Sequence, residues 1–241
     1  MSPLYSSFNY SFGEGDGTPR IVTNGLVLNL DAGRQNSYNG GTTWTDLSGS
    51  GNTGTLVNGV GYNGSNGGSL SFDGVDDYVN LGSSIQNYST FTTSFWVYYN
   101  SYDQRESPLG NASQPSGYHF LFLFGAIYVG FSSGYTGNPY IGVSLHPYKE
   151  NPYIPTDPGD FYYNTWNNFV VTKDSNNDVL FYRNAVSLGG GNKPGVTNID
   201  KIGLGLYSND MRFPQLLFYN RALSAAEISQ NFQAMRGRFG I

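Results

Sequence analysis

The stretch Ser69–Gly82 reads SLSFDGVDDYVNLG. Leu70 and Phe72 alternate with serines, an Asp-Gly pair breaks the run, and Val79 and Leu81 resume the alternation beyond it. Period-two alternation on both sides of an Asp-Gly break predicts strand, acidic turn, strand, the pattern of an antiparallel hairpin. Three carboxylates, Asp73, Asp76 and Asp77, crowd that turn.

Outward from this stretch, the chain repeats the same grammar. Phe91–Tyr99 (FTTSFWVYY) places Phe91, Phe95, Val97 and Tyr99 on one face and Trp96 and Tyr98 on the other. A strand apolar on both faces belongs at the centre of a sheet with both sides covered. Trp166–Lys173 and Val179–Arg183 flank the turn residues SNND and predict a hairpin, and His119–Phe131 predicts another around Gly125. Further strands are expected at Leu26–Asp31, Tyr140–Leu145, Lys201–Tyr207 and Leu216–Tyr219. One helix stands out late in the chain, at Ala225–Met235. Ser224 followed by Glu227 forms a capping box, Ile228, Phe232 and Met235 make one apolar stripe, and Gly237 supplies a stop. Many short strands and one late helix predict an all-β, two-sheet antiparallel sandwich. The body shows no composition break, so residues 21–241 read as one domain, with the terminal helix at 224–236.

Composition agrees. Aromatics make up 16% of the 241 residues and charged side chains only 12%, with Gly 33 and Pro 11 spread between short apolar runs. Such a balance favours sheet over helix. A net charge of −5 argues against nucleic acid as a partner, because phosphate binding needs a basic stripe. Cys 0 excludes disulfides, thiol catalysis and cysteine metal sites. No apolar run reaches membrane-spanning length, so membrane insertion is not expected, and MSPLYSSFNYSFGEGDG lacks the basic start and apolar centre of a signal peptide. Residues 1–20 have no regular period, yet Tyr5, Phe8, Tyr10 and Phe12 recur every two or three positions. Two readings of this N-terminal arm stand side by side: a frayed tail, or an arm that docks on a neighbour through those rings.

With these segments in place, the chain resembles the concanavalin A-like jelly rolls of laminin-G type, in particular their bacterial and phage branch. The resemblance rests on SLSFDGVDDYVNLG, FTTSFWVYY, the Trp166–Asn184 hairpin and the closing YNRALSAAEISQNF, in the family's order. The opening GLVLNLDAG and WTDLSGSGNTGTL resemble the branch found in phage particle proteins. The resemblance implies a jelly-roll sandwich and a place in a phage virion, as a capsid decoration or a tail-fibre module. Such a protein would be assembled in the host cytoplasm and released with the particle, its partners other virion proteins or sister copies in a homo-oligomer. The alternative is a free lectin-like module that recognises host-surface glycans. Many members carry an Asp just before the last strand, whereas here those positions read Phe213-Pro214-Gln215, so that carboxylate is missing.

Among residues that could carry chemistry, Asp73, Asp76 and Asp77 are candidate Ca²⁺ ligands, since hard carboxylate oxygens crowded on a turn suit that ion. The competing reading has them bonding local amides to fix the turn, and adjacent Asp residues on a strand point to opposite faces. Catalysis by a paired-carboxylate glucanase mechanism needs two acids alternating on one strand. The four Glu residues (Glu14, Glu106, Glu150 and Glu227) have no such partner, and no enzyme is expected. The remaining candidates are aromatic: Trp44, Tyr135, Tyr148, Tyr153 and Tyr162 in loops. Flat rings of this kind can stack on sugars or form a protein contact.

Overall fold

The computed structural model describes residues 20–73, 77–81, 88–99, 118–124, 127–133, 139–145, 153–154, 164–192, 203–204 and 211–241. The strands, in chain order, are β1 (Leu26–Asp31), β2 (Thr43–Trp44), β3 (Gly54–Val57), β4 (Gly61–Asn63), β5 (Ser69–Phe72), β6 (Tyr78–Asn80), β7 (Phe91–Tyr99) and β8 (Tyr118–Phe124). They continue with β9 (Ile127–Ser133), β10 (Pro139–Leu145), β11 (Tyr153–Ile154), β12 (Trp166–Lys173), β13 (Asp178–Arg183), β14 (Val186–Asn192), β15 (Gly203–Leu204) and β16 (Met211–Tyr219). Among the described residues one α-helix, α1 (Ala225–Phe239), follows β16.

Two eight-stranded antiparallel sheets result. The first runs β14-β13-β12-β7-β16-β5-β4, with β1 also paired to β16; the second runs β11-β10-β9-β8-β15-β6-β3-β2. The all-β two-sheet sandwich with one C-terminal helix, expected from the alternation, is what the chain forms. Its main core lies between the sheets. Leu28, Leu30, Phe91, Phe95, Phe169, Phe181, Phe213 and Phe218 come from the first sheet, and Trp44, Leu56 and Val79 from the second. Rings of Phe95 and Phe213 stack at 5.9 Å, and Phe91 stacks on Phe218 at 5.8 Å.

The opening stretch behaves differently from a hairpin. β5 pairs with β16 and β4 in the first sheet, whereas β6 pairs with β3 and β15 in the second. The acidic segment therefore carries the chain from one layer of the sandwich to the other. The reason is register: Leu56 and Leu204 both align with Val79, and these long-range partners outcompete the local strand. Either arrangement satisfies the same alternation of apolar side chains.

β16 is longer than the alternation indicated, because it runs through Pro214. One edge of β16 pairs with β7 throughout; the other pairs with β5 at Met211–Phe213 and with β1 at Gln215–Tyr219. Pro214 sits at the handover between those partners, where the ladder to β7 also shifts register. A residue without an N–H is tolerated at such an irregularity. Its carbonyl accepts the N–H of Ala32 at 2.8 Å.

The helix begins at its expected cap. The Ser224 hydroxyl accepts the Glu227 N–H, and the Glu227 carboxylate accepts the Ser224 N–H at 2.9 Å. Gly237 does not end it. The helix continues to Phe239, and Gly240 takes the left-handed conformation at φ 73° that closes it. A mid-helix glycine costs about 1 kcal/mol, whereas fully burying a phenylalanine side chain contributes about 1.5–3 kcal/mol. Phe239 stacks on Trp96 at 4.3 Å and meets Trp166 at 4.8 Å, so packing of the last turn prevails. With Phe232 on the other side of Trp96, the helix covers the outer face of the first sheet, and β7 is covered on both faces.

Candidate functional site

Of the three acidic residues at the crossover, Asp76 lies outside the described residues. The Asp77 side chain is buried at 3% exposure, and its Oδ2 accepts the Asp73 N–H at 3.0 Å. Ca²⁺ takes six to eight oxygens, and a carboxylate oxygen committed to a backbone amide is poorly placed to serve it. Among the described residues no three or more His, Cys, Asp or Glu side chains are grouped to hold a metal ion. The two described carboxylates fit the role of fixing the turn.

Trp44 is a correction. Its ring is 0% exposed and meets Phe213 edge-on at 6.5 Å, so it is part of the core and cannot stack on a ligand. The physical reason is Asp46, two residues on, which folds the following loop inward. Asp46 Oδ1 accepts the N–H groups of Asn29 (2.9 Å) and Ser48 (2.8 Å); Oδ2 accepts the Ser48 hydroxyl (2.8 Å) and the Asn52 N–H (3.0 Å). Four bonds to one carboxylate explain why this wording, WTDLSGSGN, holds a fixed loop.

At Phe213-Pro214-Gln215 a carboxylate is present after all, supplied from another strand. Asp31, at the end of β1, lies 3.5 Å from the Gln215 amide, which donates to Oδ2. Asp31 Oδ1 accepts from Arg238 Nη1 at 2.7 Å and from the Gly33 N–H at 2.9 Å. Arg238 also donates to the carbonyls of Asn66, Gly67 and Gly68. This cluster ties the end of the helix to β1 and to the turn before β5, and its carboxylate is neutralised from within.

The other sequence candidates divide as follows. Tyr135, Tyr148 and Tyr162 lie outside the described residues, as do Tyr5, Phe8, Tyr10 and Phe12 of the arm. Tyr153 lies on β11 opposite Gly142 of β10, at the edge of the second sheet. The chain just after the arm is held tightly. The Val22 N–H donates to Asn231 Oδ1 (2.7 Å), the Tyr219 hydroxyl donates to the Val22 carbonyl (2.9 Å), and the Asn231 amide donates to that hydroxyl (3.0 Å). Burial pushes the Tyr219 phenol up, so it stays a donor at any ordinary pH. Gln230 and Arg221 hold the carbonyls of Arg20 and Asn24.

One constellation escaped sequence reasoning. Cross-strand register aligns Trp166, Tyr98, Arg212, Ser71 and Gly61 in one row across β12, β7, β16, β5 and β4. Directly opposed residues share a face, here the outer one beyond the helix. The Arg212 guanidinium lies 3.9 Å above the Tyr98 ring centre and 5.5 Å from that of Trp166. Tyr98, Arg212, Ser71 and Gly61 are all partly exposed. A stacked cation beside small polar residues can bind an oxygen-rich ligand. The only signal in the sequence was Arg212 within an apolar strand, and its neighbours are far away in the chain.

The fold is a lectin-like β-sandwich. A laminin-G-type family model, described as the concanavalin A-like lectin/glucanases superfamily, matches residues 72–229. The chain belongs to that superfamily. No curated protein sequence matches it. Among solved structures it is similar to domain 4 of AbnA, an extracellular arabinanase from Geobacillus stearothermophilus bound to arabinotriose. That match has TM-score 0.60 and 16% identity, covering 86% of this chain and 97% of the other. The Trypanosoma rangeli sialidase in complex with sialic acid matches at TM-score 0.63 and 16% identity over 90% of this chain and 34% of the sialidase. The binding domain of botulinum neurotoxin DC in complex with SialylT matches at TM-score 0.64 and 14% identity, over 88% of this chain and 52% of that domain. At these identities the likeness shows the fold. The chain spans about half of the toxin domain and a third of the sialidase.

Proposed function

We propose that the protein is a non-enzymatic adhesive module of a phage particle, anchored through its N-terminal segment and contacting surface glycans with its sandwich body. The observation that carries the reading is the clamp on residues 20–24. Asn231, Tyr219, Gln230 and Arg221 fix this stretch against β16 and α1, so whatever precedes residue 20 leaves the body at one defined point. A rigid exit point suits a tether that positions a body on a larger assembly, with Tyr5, Phe8, Tyr10 and Phe12 as its docking rings. Placement in a virion rests on the resemblance of the GLVLNLDAG and WTDLSGSGNTGTL segments to phage particle proteins. The glycan part rests on membership in a superfamily of lectins and glucanases and on sugar-bound proteins of like fold.

Quantitative mass spectrometry of purified particles tests the placement, and the expected result is a fixed copy number per particle that is lost when residues 1–19 are deleted. Absence of the protein from particles would refute it. A free lectin-like module is the second reading, favoured by the same sugar-bound neighbours. A glycan array with no particle association would establish that reading instead.

A further inference from the structure

We propose that the row Trp166–Tyr98–Arg212–Ser71 on the outer face of the first sheet is a subsite for a carboxylate-bearing sugar, with Arg212 as the residue that takes the carboxylate. This rests on the glycan-binding reading and gives it a place and a ligand class.

Three other arginines are already engaged within the protein. Arg238 is paired with Asp31, and Arg221 with Glu227, while Arg236 donates to the Ile241 carbonyl. Arg212 differs from all of these. Its Nε is buried without a hydrogen-bond partner, and among the described residues no carboxylate pairs with its guanidinium. Its contacts are the faces of Tyr98 and Trp166. Those faces fix the plane of the guanidinium but supply no acceptor for its N–H groups. Arginine stays charged at every physiological pH, so among the described residues this cation has no counter-charge.

Shape narrows the ligand. Arg212 is only partly buried, so part of its side chain faces solvent. Along the row, side chains shrink from Trp166 to Ser71 and then to Gly61. A Cβ at position 61 would come within 2.6 Å of the Ser71 hydroxyl, so the floor beside the cation is held to small polar groups. A planar guanidinium meets a carboxylate with two parallel hydrogen bonds, and the neighbouring hydroxyl matches a sugar hydroxyl. An acidic side chain from a protein partner would offer the same carboxylate. A protein interface, however, draws its strength from an apolar anchor in a desolvated pocket, whereas the floor here is a hydroxyl beside a glycine. The site therefore fits an acidic monosaccharide unit better than a protein.

Saturation-transfer NMR on the full chain provides the test, with glucuronate, N-acetylneuraminate and glucose as probes and a Glu-rich peptide as a fourth. The expected result is transfer to one or both acidic sugars, with affinity falling roughly tenfold or more in R212Q, since hydrogen bonds to a charged group are the strong ones. S71A, which removes one hydroxyl from a partly exposed position, is expected to weaken the same sugars less. Equal binding of acidic sugars by wild type and R212Q overturns the subsite. Binding of glucose alone also overturns it, but leaves the glycan-binding reading standing. Binding of the peptide with no sugar bound overturns both. Should R212Q unfold, S71A and R212K are read instead; unchanged affinity in both refutes the site.

Discussion

Replacing Arg238 with Met should destabilise the protein by about 3 kcal/mol. The guanidinium donates to Asp31 Oδ1 at 2.7 Å and to three backbone carbonyls, and the two side chains are 8% and 5% exposed. Methionine preserves most of the bulk and removes every donor. Breaking a buried pair by deleting one partner costs about 3–5 kcal/mol, because the remaining charge stays buried. Asp31 keeps the Gly33 N–H at 2.9 Å, the Gln215 amide at 3.5 Å and Arg34 at 3.9 Å, so the lower end applies. For a domain of this size each kcal/mol moves the melting temperature by about 2–4 °C, giving a drop of about 6–12 °C. Differential scanning calorimetry at neutral pH measures it. Adding D31N to R238M removes the stranded charge and should restore part of the loss. The reasoning fails if R238M costs less than about 1 kcal/mol, or if the double variant is no more stable than R238M alone.

Two further outcomes are expected. F239A should cost about 3–5 kcal/mol, as large-to-small core changes do, and should shift tryptophan emission to the red, because Trp96 and Trp166 lose the ring between them and water; unchanged emission would contradict the packing of the last helical turn. E227Q should lower the melting temperature by about 2–4 °C at neutral pH, since the ion pair with Arg221 contributes up to about 1 kcal/mol while Gln can still accept the Ser224 N–H. The Arg221 guanidinium and the Ser224 backbone hold the Glu227 carboxyl down to about 2, below its ordinary value of 4.5. A depressed carboxylate contributes stability above its unfolded value that is lost as pH falls toward 2, so thermal melts of wild type and E227Q should converge across that window.

Much of the fold was legible because its signals are local and periodic. The faces of β7, the β12–β13 hairpin and the Ser224–Glu227 cap follow from side-chain spacing within a dozen residues. What was not legible depends on partners far away. SLSFDGVDDYVNLG reads the same whether β6 folds back on β5 or crosses to the other sheet, and only the pairing of Val79 with Leu56 and Leu204 decides. Gly237 is a sound helix stop until Trp96 and Trp166 are placed beneath Phe239. Trp44 looked like a loop ring because the four bonds that pull Asp46 inward reach residues from Asn29 to Asn52. Arg212 gained meaning only from register, which places side chains from five strands in one line. The expected strand began only at Leu216, beyond Pro214, because the tolerance of that proline within β16 depends on a change of partner that no local rule encodes.

That change of partner has a consequence for biosynthesis. β1 and β5 both emerge from the ribosome early, yet each must pair with β16, which is 184 residues beyond Asp31 at the Gln215 pairing. Until residue 219 has been translated, β1 has no ladder partner in its sheet and Leu28 and Leu30 have no finished core to enter. The first sheet therefore cannot mature vectorially from the N-terminus. Folding waits for β16, and contacts of such long sequence separation make it slow. A nonsense mutation or ribosomal stall anywhere before β16 would release a nascent product with open strand edges rather than a truncated but stable domain.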